Sequence, residues 1–251
     1  YLCGVNCPAN PGAWELHGVF HKKLRKERKR QDDGGVMQQL NRETAEREAR
    51  IAAQSGDRYD GLMAKAGRYA SELDWRRAAK ACREAIALEP DDPTAYYNLG
   101  AVLGNSGHQV EAAQRYLEAK ARYPVLSEGW AQATAQAFEN LKMEQCAEVA
   151  KPEWWGDEML KVLSEFVLRA SPNGAAAIAM RATVLSGLCD AWEAGPRSGA
   201  ELKEAAALYE RSAAMCLAPA QRVLIANRAD WCRSHAVTGH AGLYAELFDF
   251  P

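Results

Sequence analysis

Four side chains near the start of the sequence have the types and spacing of a zinc site. Cys3 and Cys7 are separated by three residues, and His17 and His21 lie four positions apart, which places both imidazoles on one face of a helix. Two thiolates and two imidazoles can complete the tetrahedral coordination that structural Zn²⁺ prefers. Such an ion would stabilise a segment that has almost no apolar core of its own. The alternative is two unrelated cysteines and two surface histidines.

This stretch resembles a C2H2 zinc finger, and the resemblance implies a zinc ion as cofactor. It departs from that family in the gap between Cys7 and His17, which holds nine residues rather than about twelve. Pro8, Pro11 and Gly12 occupy that gap and indicate a turn. The resemblance therefore implies metal binding, but not the complete ββα finger.

A strongly basic run follows directly after His21. On a helix that continues from His21, its side chains form a cationic rod that can neutralise nucleic-acid phosphates or serve as a nuclear import signal. A solvated charged helix is the alternative, and no set of asparagine or arginine side chains indicates reading of specific bases. The basic residues, interrupted by Glu27, are Lys22, Lys23, Arg25, Lys26, Arg28, Lys29 and Arg30.

Two consecutive segments, 59–92 and 93–126, share one pattern with a period of 34 residues. Small residues recur in phase, and they let two helices approach closely. A proline recurs near the end of each segment, where it ends the second helix because it cannot continue the hydrogen-bond ladder. The pattern predicts a pair of antiparallel helices in each segment. The matched residues are Ala78 and Ala112, Ala85 and Ala119, and Pro90 and Pro124.

The pattern resembles the tetratricopeptide repeat (TPR), in which aromatic, small and proline positions recur at fixed offsets. Tyr96, Leu99–Gly100, Ala112 and Pro124 match that signature in the second segment, and the first segment is looser. The resemblance implies an all-α fold, an α-solenoid of antiparallel helix pairs with a terminal capping helix. One pair cannot bury its apolar face alone, so the pairs must stack.

The domain organisation follows from these patterns. Residues 1–30 are predicted to form a zinc-binding segment that runs into a basic helix. Residues 31–57 are a charged helical linker, and residues 59–251 form the solenoid. Repeats are expected near 59–92, 93–126, 127–150 (irregular) and 174–219, followed by a cap at 220–236.

Trp154 and Trp155 lie beside a proline and a glycine, where the third repeat loses its regular pattern. Two adjacent tryptophans can form an exposed anchor for a ligand. More often such a pair fills a groove or the junction between repeats. The second interpretation is the one that the sequence favours.

Composition excludes several classes of protein. The 251 residues carry a formal net charge of −2, which gives no overall attraction to nucleic acid or membrane. No apolar run approaches the roughly 18 residues that span a bilayer. Cys82 and Cys146 fall at helix packing positions, which favours buried reduced thiols and an intracellular protein, cytoplasmic or nuclear. No nucleophile–base set, phosphate loop or paired-carboxylate motif is present, so we predict no catalytic residues and no enzyme.

In the TPR family the first helix of each repeat lines a concave groove, and the resemblance implies which residues bind a partner here. These positions carry three carboxylates and no lysine or arginine, so we expect a neutral-to-basic peptide with an apolar or aromatic anchor. Of the five groups that clamp a chaperone C-terminal carboxylate in this family, only Asn98 is present, and that ligand is not favoured. The predicted partner-binding residues are Asp60, Met63, Thr94, Tyr97, Asn98, Asn105, Glu128, Phe138 and Glu139.

Two functions from different classes follow. The first is a non-enzymatic scaffold that binds a protein or peptide partner in the groove of the repeats. The alternative is a zinc-binding adaptor that contacts RNA or DNA through the Cys/His cluster and the basic run, while the repeats recruit protein. An accessory subunit of a larger assembly would leave the same sequence pattern.

Overall fold

The computed structural model describes residues 58–238, and this part of the chain consists of nine α-helices and one short 3₁₀ helix, without a β-strand. The prediction of an all-α fold is therefore confirmed for these residues. They divide into two compact units, an N-terminal unit of 58–122 and a C-terminal unit of 123–238. None of the helices between Arg58 and Thr238 is long and apolar enough to cross a membrane.

The N-terminal unit contains two helix pairs, in which each helix packs against the next. The pairs coincide with the two segments that repeat in the sequence. Its helices are α1 (Arg58–Ser71), α2 (Trp75–Leu88), α3 (Pro93–Ser106) and α4 (Gln109–Arg122).

Local sequence determines where these helices begin and end. The Asp74 carboxylate accepts a hydrogen bond from the Arg77 backbone N–H at 3.1 Å, which caps the start of α2. The Asp92 carboxylate caps α3 in the same way through the Thr94 N–H at 2.6 Å, and Pro93 occupies the first turn, where its missing N–H is not needed. Gly107, with φ of 93°, ends α3 in the left-handed region that favours glycine.

The small residues of the repeat allow close helix packing. Ala78, Ala85, Ala112 and Ala119 are all fully buried. At Gly100, a Cβ atom would lie 3.0 Å from the Tyr116 ring, which is tighter than an ordinary contact. The recurring small residues therefore lie where the helix backbones approach closely, as the sequence predicts.

The carbonyl oxygen of Pro90 joins the two helix pairs. It accepts a hydrogen bond from the Tyr96 hydroxyl at 3.0 Å and another from Arg122 Nε, also at 3.0 Å. The Arg122 guanidinium lies 3.9 Å from the centre of the Tyr96 ring. The loop after α2, the start of α3 and the end of α4 therefore share one junction.

The C-terminal unit contains the remaining helices. In this unit α5 packs on both α6 and α7, α6 packs on α7, and α8 packs on both α7 and α9. α9 includes residues 220–236, which the sequence predicts as the cap. The elements are α5 (Glu128–Leu141), a 3₁₀ helix (Glu144–Cys146), α6 (Asp157–Ala170), α7 (Ala175–Ser186), α8 (Gly199–Met215) and α9 (Pro219–Thr238).

Aromatic side chains fill the core between α5, α6 and α7. The centre of the Phe138 ring lies 5.5 Å from that of Trp155 and 5.7 Å from that of Trp192. Trp155 Nε1 donates a hydrogen bond to the Ala191 carbonyl at 3.0 Å. Trp154 and Trp155 are half-buried against this core, so the interpretation as a filled junction is confirmed.

The segment after α7 differs from the sequence expectation. The sequence predicts a repeat near 174–219, but its first helix, α7, ends at Ser186 because Gly187 adopts the left-handed conformation with φ of 66°. The following loop returns to the core and buries Trp192 and Arg197.

Arg197 forms a buried ion pair with Asp157 at the start of α6. Trp192 Nε1 and the Gly195 backbone N–H also donate to the Asp157 carboxylate, at 3.0 Å and 3.2 Å. Burial alone would raise the pKa of Asp157, but the hydrogen bonds from Arg197 and Trp192 outweigh it and lower the pKa to about 2. This carboxylate is therefore ionised throughout the physiological pH range.

The buried cysteines agree with the sequence analysis. Cys82 and Cys146 are fully buried, and all five cysteines of the described residues are free thiols. Burial raises the pKa of the Cys82 thiol to about 12, so it stays protonated.

Candidate protein-binding surface

The first helices of the two pairs, α1 and α3, carry the candidate surface. Tyr59 and Leu62 of α1 pack with Ala95 of α3 in one buried cluster, so the N-terminal halves of the two helices are neighbours. The residues of this α1/α3 surface are those predicted from the TPR resemblance in the N-terminal unit, Asp60, Met63, Thr94, Tyr97, Asn98 and Asn105.

Met63 and Tyr97 form the apolar part of the α1/α3 surface. Both are half-buried. Met63 packs against the cluster that joins α1 and α3, and the Tyr97 ring meets the Tyr116 ring edge-on, with 5.3 Å between the ring centres. Each side chain is thus partly fixed by its contacts with buried residues. An aromatic or aliphatic ligand group can pack on such fixed apolar atoms with little loss of side-chain entropy.

The surroundings of this apolar part are open and polar. A Cβ atom at Gly67 on α1 would meet nothing within 4 Å, so there is unfilled space above that helix. Asp60, Thr94 and Asn105 are exposed, and the Asn105 amide donates a hydrogen bond to the Ala101 carbonyl at 2.8 Å. Asp60 supplies negative charge in the first turn of α1.

The three residues predicted from the third repeat lie in different environments. Glu128 is exposed at the start of α5 and accepts a hydrogen bond from the Gln132 amide at 3.1 Å. Phe138 has 0% of its surface exposed. The structure therefore corrects its prediction as a ligand contact, because a side chain in the core cannot touch a partner.

Glu139 also differs from the prediction. Its carboxylate is nearly buried and forms an ion pair with Lys142 Nζ at 2.8 Å. Burial alone would lower the pKa of Lys142, but the Glu139 carboxylate reverses this and raises it. The physical reason is the packing of α5 on both α6 and α7, which covers the side that would face a ligand in a regular repeat. Asp60 and Glu128 remain as exposed carboxylates of the predicted set.

The predicted zinc ligands Cys3, Cys7, His17 and His21 lie outside the described residues. So do the predicted nucleic-acid contacts, Lys22 to Arg30. Between Arg58 and Thr238, no group of three or more His, Cys, Asp or Glu side chains is placed to hold a metal ion.

Comparison with known families bears on the same helices. The family model of the TPR repeat matches residues 74–107. This range begins at the cap of α2 and ends at the cap of α3, so it contains the second helix of one pair and the first helix of the next. The match and the helical architecture support a TPR protein. They do not support the resemblance of residues 1–21 to a zinc finger, and no curated protein matches the chain.

One surface was missed in the sequence analysis. Met159, Val162 and Phe166 are large apolar residues of α6 that are exposed to solvent. The sequence shows α6 as strongly apolar, and this overall character alone does not reveal an exposed apolar face. Placing its residues at 100° intervals separates these three from the buried Leu160 and Val167.

Proposed function

We propose that this protein is a non-enzymatic scaffold that binds a peptide or protein segment on the α1/α3 surface. TPR repeats are typically interaction modules rather than enzymes. The observation that carries the proposal is that Met63 on α1 and Tyr97 on α3 are both half-buried, with open space at Gly67 on α1. They provide apolar contacts, and the other four members of the surface are polar.

The charge of the surface selects the ligand. Asp60 is its ionisable residue, and no lysine or arginine is among its six members. A segment with an aromatic or aliphatic anchor and a nearby lysine or arginine therefore fits best. A chaperone C-terminal carboxylate does not fit, because Met63 and Gly67 stand where the carboxylate clamp of this family has lysine and asparagine.

Peptide display on the whole chain tests the proposal. Peptides selected from a random library are expected to be enriched in aromatic and basic residues. Their affinity is then measured by fluorescence anisotropy for wild type and for Asp60→Lys, which reverses the charge of the surface. The matched control is Glu84→Lys, the same change at an exposed carboxylate of α2.

The proposal predicts that Asp60→Lys weakens the basic peptides about tenfold and that Glu84→Lys leaves them unchanged. Equal effects of the two changes would show that the peptides respond to net charge alone. A selection without aromatic or basic enrichment would argue against this surface as the binding site.

A further inference from the structure

Helix α6 has two apolar faces. Within the described residues, only one of them packs against other helices. Leu160, Ser164 and Val167 are fully buried against neighbouring helices. On the other side, Met159, Val162 and Phe166 expose 55%, 51% and 38% of their surfaces. We call these three residues the α6 stripe.

The spacing of the α6 stripe makes it one continuous surface. Steps of three and four residues place side chains above one another along a helix, so the stripe extends over two turns. Half-buried Leu163 lies beside it and links it to the core. Exposed apolar residues are ordinary when scattered, but a row of Met, Val and Phe on one helix face marks an interaction site.

The stripe is nearly symmetric about its midpoint. Met159 and Phe166 are the large residues at its two ends, and Val162 lies close to the centre. If a second α6 lies antiparallel across it, each Met159 faces the Phe166 of the other copy, and the two Val162 side chains meet near the two-fold axis. A surface that complements itself in this way is what a symmetric dimer requires.

The charges beside the stripe favour the same antiparallel arrangement. Glu158 at the start of α6 and Arg169 near its end are 87% and 69% exposed, and they lie on the same edge of the stripe. Antiparallel helices bring matching edges together, so each Glu158 comes within reach of the Arg169 of the other copy. Glu165 also lies on this edge, and Arg169 Nη2 neutralises it at 2.8 Å. A parallel pair would instead place this edge of the two helices on opposite sides of the interface, where Glu158 and Arg169 could not pair with each other.

We propose that the α6 stripe is a self-association site, on which a second copy of this chain docks its own α6 antiparallel. The stripe comprises three side chains and their neighbours. It therefore buries well under the ~800 Å² per partner of a standard interface. The dimer is weak and depends on concentration, with a dissociation constant on the order of 100 µM.

Sedimentation velocity of the full chain, in reducing buffer from about 5 to 500 µM, measures this equilibrium. Wild type is expected to shift from monomer to dimer across that range. Val162→Glu places a charge at the centre of the stripe and is expected to weaken the dimer more than about tenfold. The matched control is Val223→Glu, the same change at an exposed valine of α9, which is expected to leave the dimer intact.

A charge exchange tests the antiparallel geometry. Glu158→Arg and Arg169→Glu each place like charges together across the two-fold axis, so either variant alone is expected to dimerise less than wild type. Mixing the two variants restores opposite charges at both ends. A mixed dimer is therefore expected, and native mass spectrometry detects it if one variant is isotopically labelled.

Three results would overturn the proposal. The first is a wild-type chain that stays monomeric throughout the concentration series. The second is an equal effect of Val162→Glu and Val223→Glu. The third is hydrogen exchange in which α6 amides are protected equally at low and high concentration, which would show that another segment of the same chain covers the stripe.

Discussion

Arg197 binds both carboxylate oxygens of Asp157, which lies forty residues earlier in the chain, with Nη1 at 2.7 Å from Oδ2 and Nη2 at 2.5 Å from Oδ1. Both side chains are almost completely buried. Arg197 Nη2 also donates to the Val184 carbonyl at 3.0 Å. A bidentate pair with this burial joins the loop after α7 to the start of α6.

Removal of Arg197 is expected to be strongly destabilising. Arg197→Ala leaves the Asp157 charge buried without its principal partner, so the free energy of unfolding should fall by about 3–5 kcal/mol. The control is Arg233→Ala, which breaks surface ion pairs to Glu210 and Asp230 and should change it by about 0–1 kcal/mol. Denaturant unfolding followed by tryptophan fluorescence compares the two. Similar losses would mean that the buried pair contributes no more than an exposed one.

The same pair predicts a dependence of stability on acid. The pKa of Asp157 is lowered from 3.8 to about 2 in the folded state, so the unfolded chain binds more protons between these values. Its contribution, about 2 kcal/mol, is complete above pH 4 and is lost as the pH falls through 4 towards 2. Asp157→Asn should remove this part of the pH dependence. If Asp157→Asn lost as much unfolding free energy between pH 5 and pH 2 as wild type does, the prediction would be contradicted.

Two glycines of the N-terminal unit should respond in opposite ways to alanine. Gly100→Ala places a Cβ against the Tyr116 ring and should cost about 1–3 kcal/mol. Gly67→Ala meets open space on α1, so it should be neutral or stabilise by up to about 1 kcal/mol, because alanine favours the helix. Thermal unfolding of the two variants measures the contrast. Equal melting temperatures would show that the close packing of α3 and α4 is not tight.

Phe138 and Tyr97 separate a core role from a surface role. Phe138→Ala removes a fully buried ring and should lower the free energy of unfolding by about 3–5 kcal/mol. Tyr97→Ala removes a half-buried ring, so it should cost less stability and instead weaken peptides that have an aromatic anchor. Unfolding curves and peptide anisotropy are recorded for both variants. If Phe138→Ala had wild-type stability, the assignment of the Phe138 ring to the core would be contradicted.

The N-terminal segment has its own prediction. If Cys3, Cys7, His17 and His21 form a site, the full chain holds about one zinc, and Cys3→Ser loses it. The zinc content of wild type and variant is measured by mass spectrometry after dialysis. Zinc in the wild type alone would justify a salt titration with RNA, in which the basic residues Lys22 to Arg30 give a steep salt dependence. No zinc in either protein would leave these cysteines and histidines without a metal role.

The repeats were predictable because their signal is local. Ala78, Ala85, Ala112 and Ala119 must be small where two adjacent helices touch, and each such contact lies within one 34-residue period. The sequence therefore predicts the helix pairs, whereas partner binding by the α1/α3 surface stays a prediction.

The C-terminal unit was less predictable because its packing depends on distant residues. Phe138 was assigned to the surface from its position in a repeat, but contacts from Trp155 and Trp192 place it in the core. The hydrogen bond from Trp155 to Ala191 joins residues 36 positions apart, and no local sequence pattern predicts it. Arg197 lies in a loop that is rich in glycine and proline, and its burial depends on Asp157, which lies 40 residues earlier in the chain.

The carbonyl of Pro90 has a mechanical consequence. Pro90 follows the end of α2, and its carbonyl oxygen accepts hydrogen bonds from Tyr96, at the beginning of the next pair, and from Arg122, at the end of that pair. Two bonds to one atom resist both bending and rotation of consecutive pairs. Since the curvature of a solenoid is the sum of such small rotations, the N-terminal unit should resist deformation when a ligand binds and behave as a stiff element.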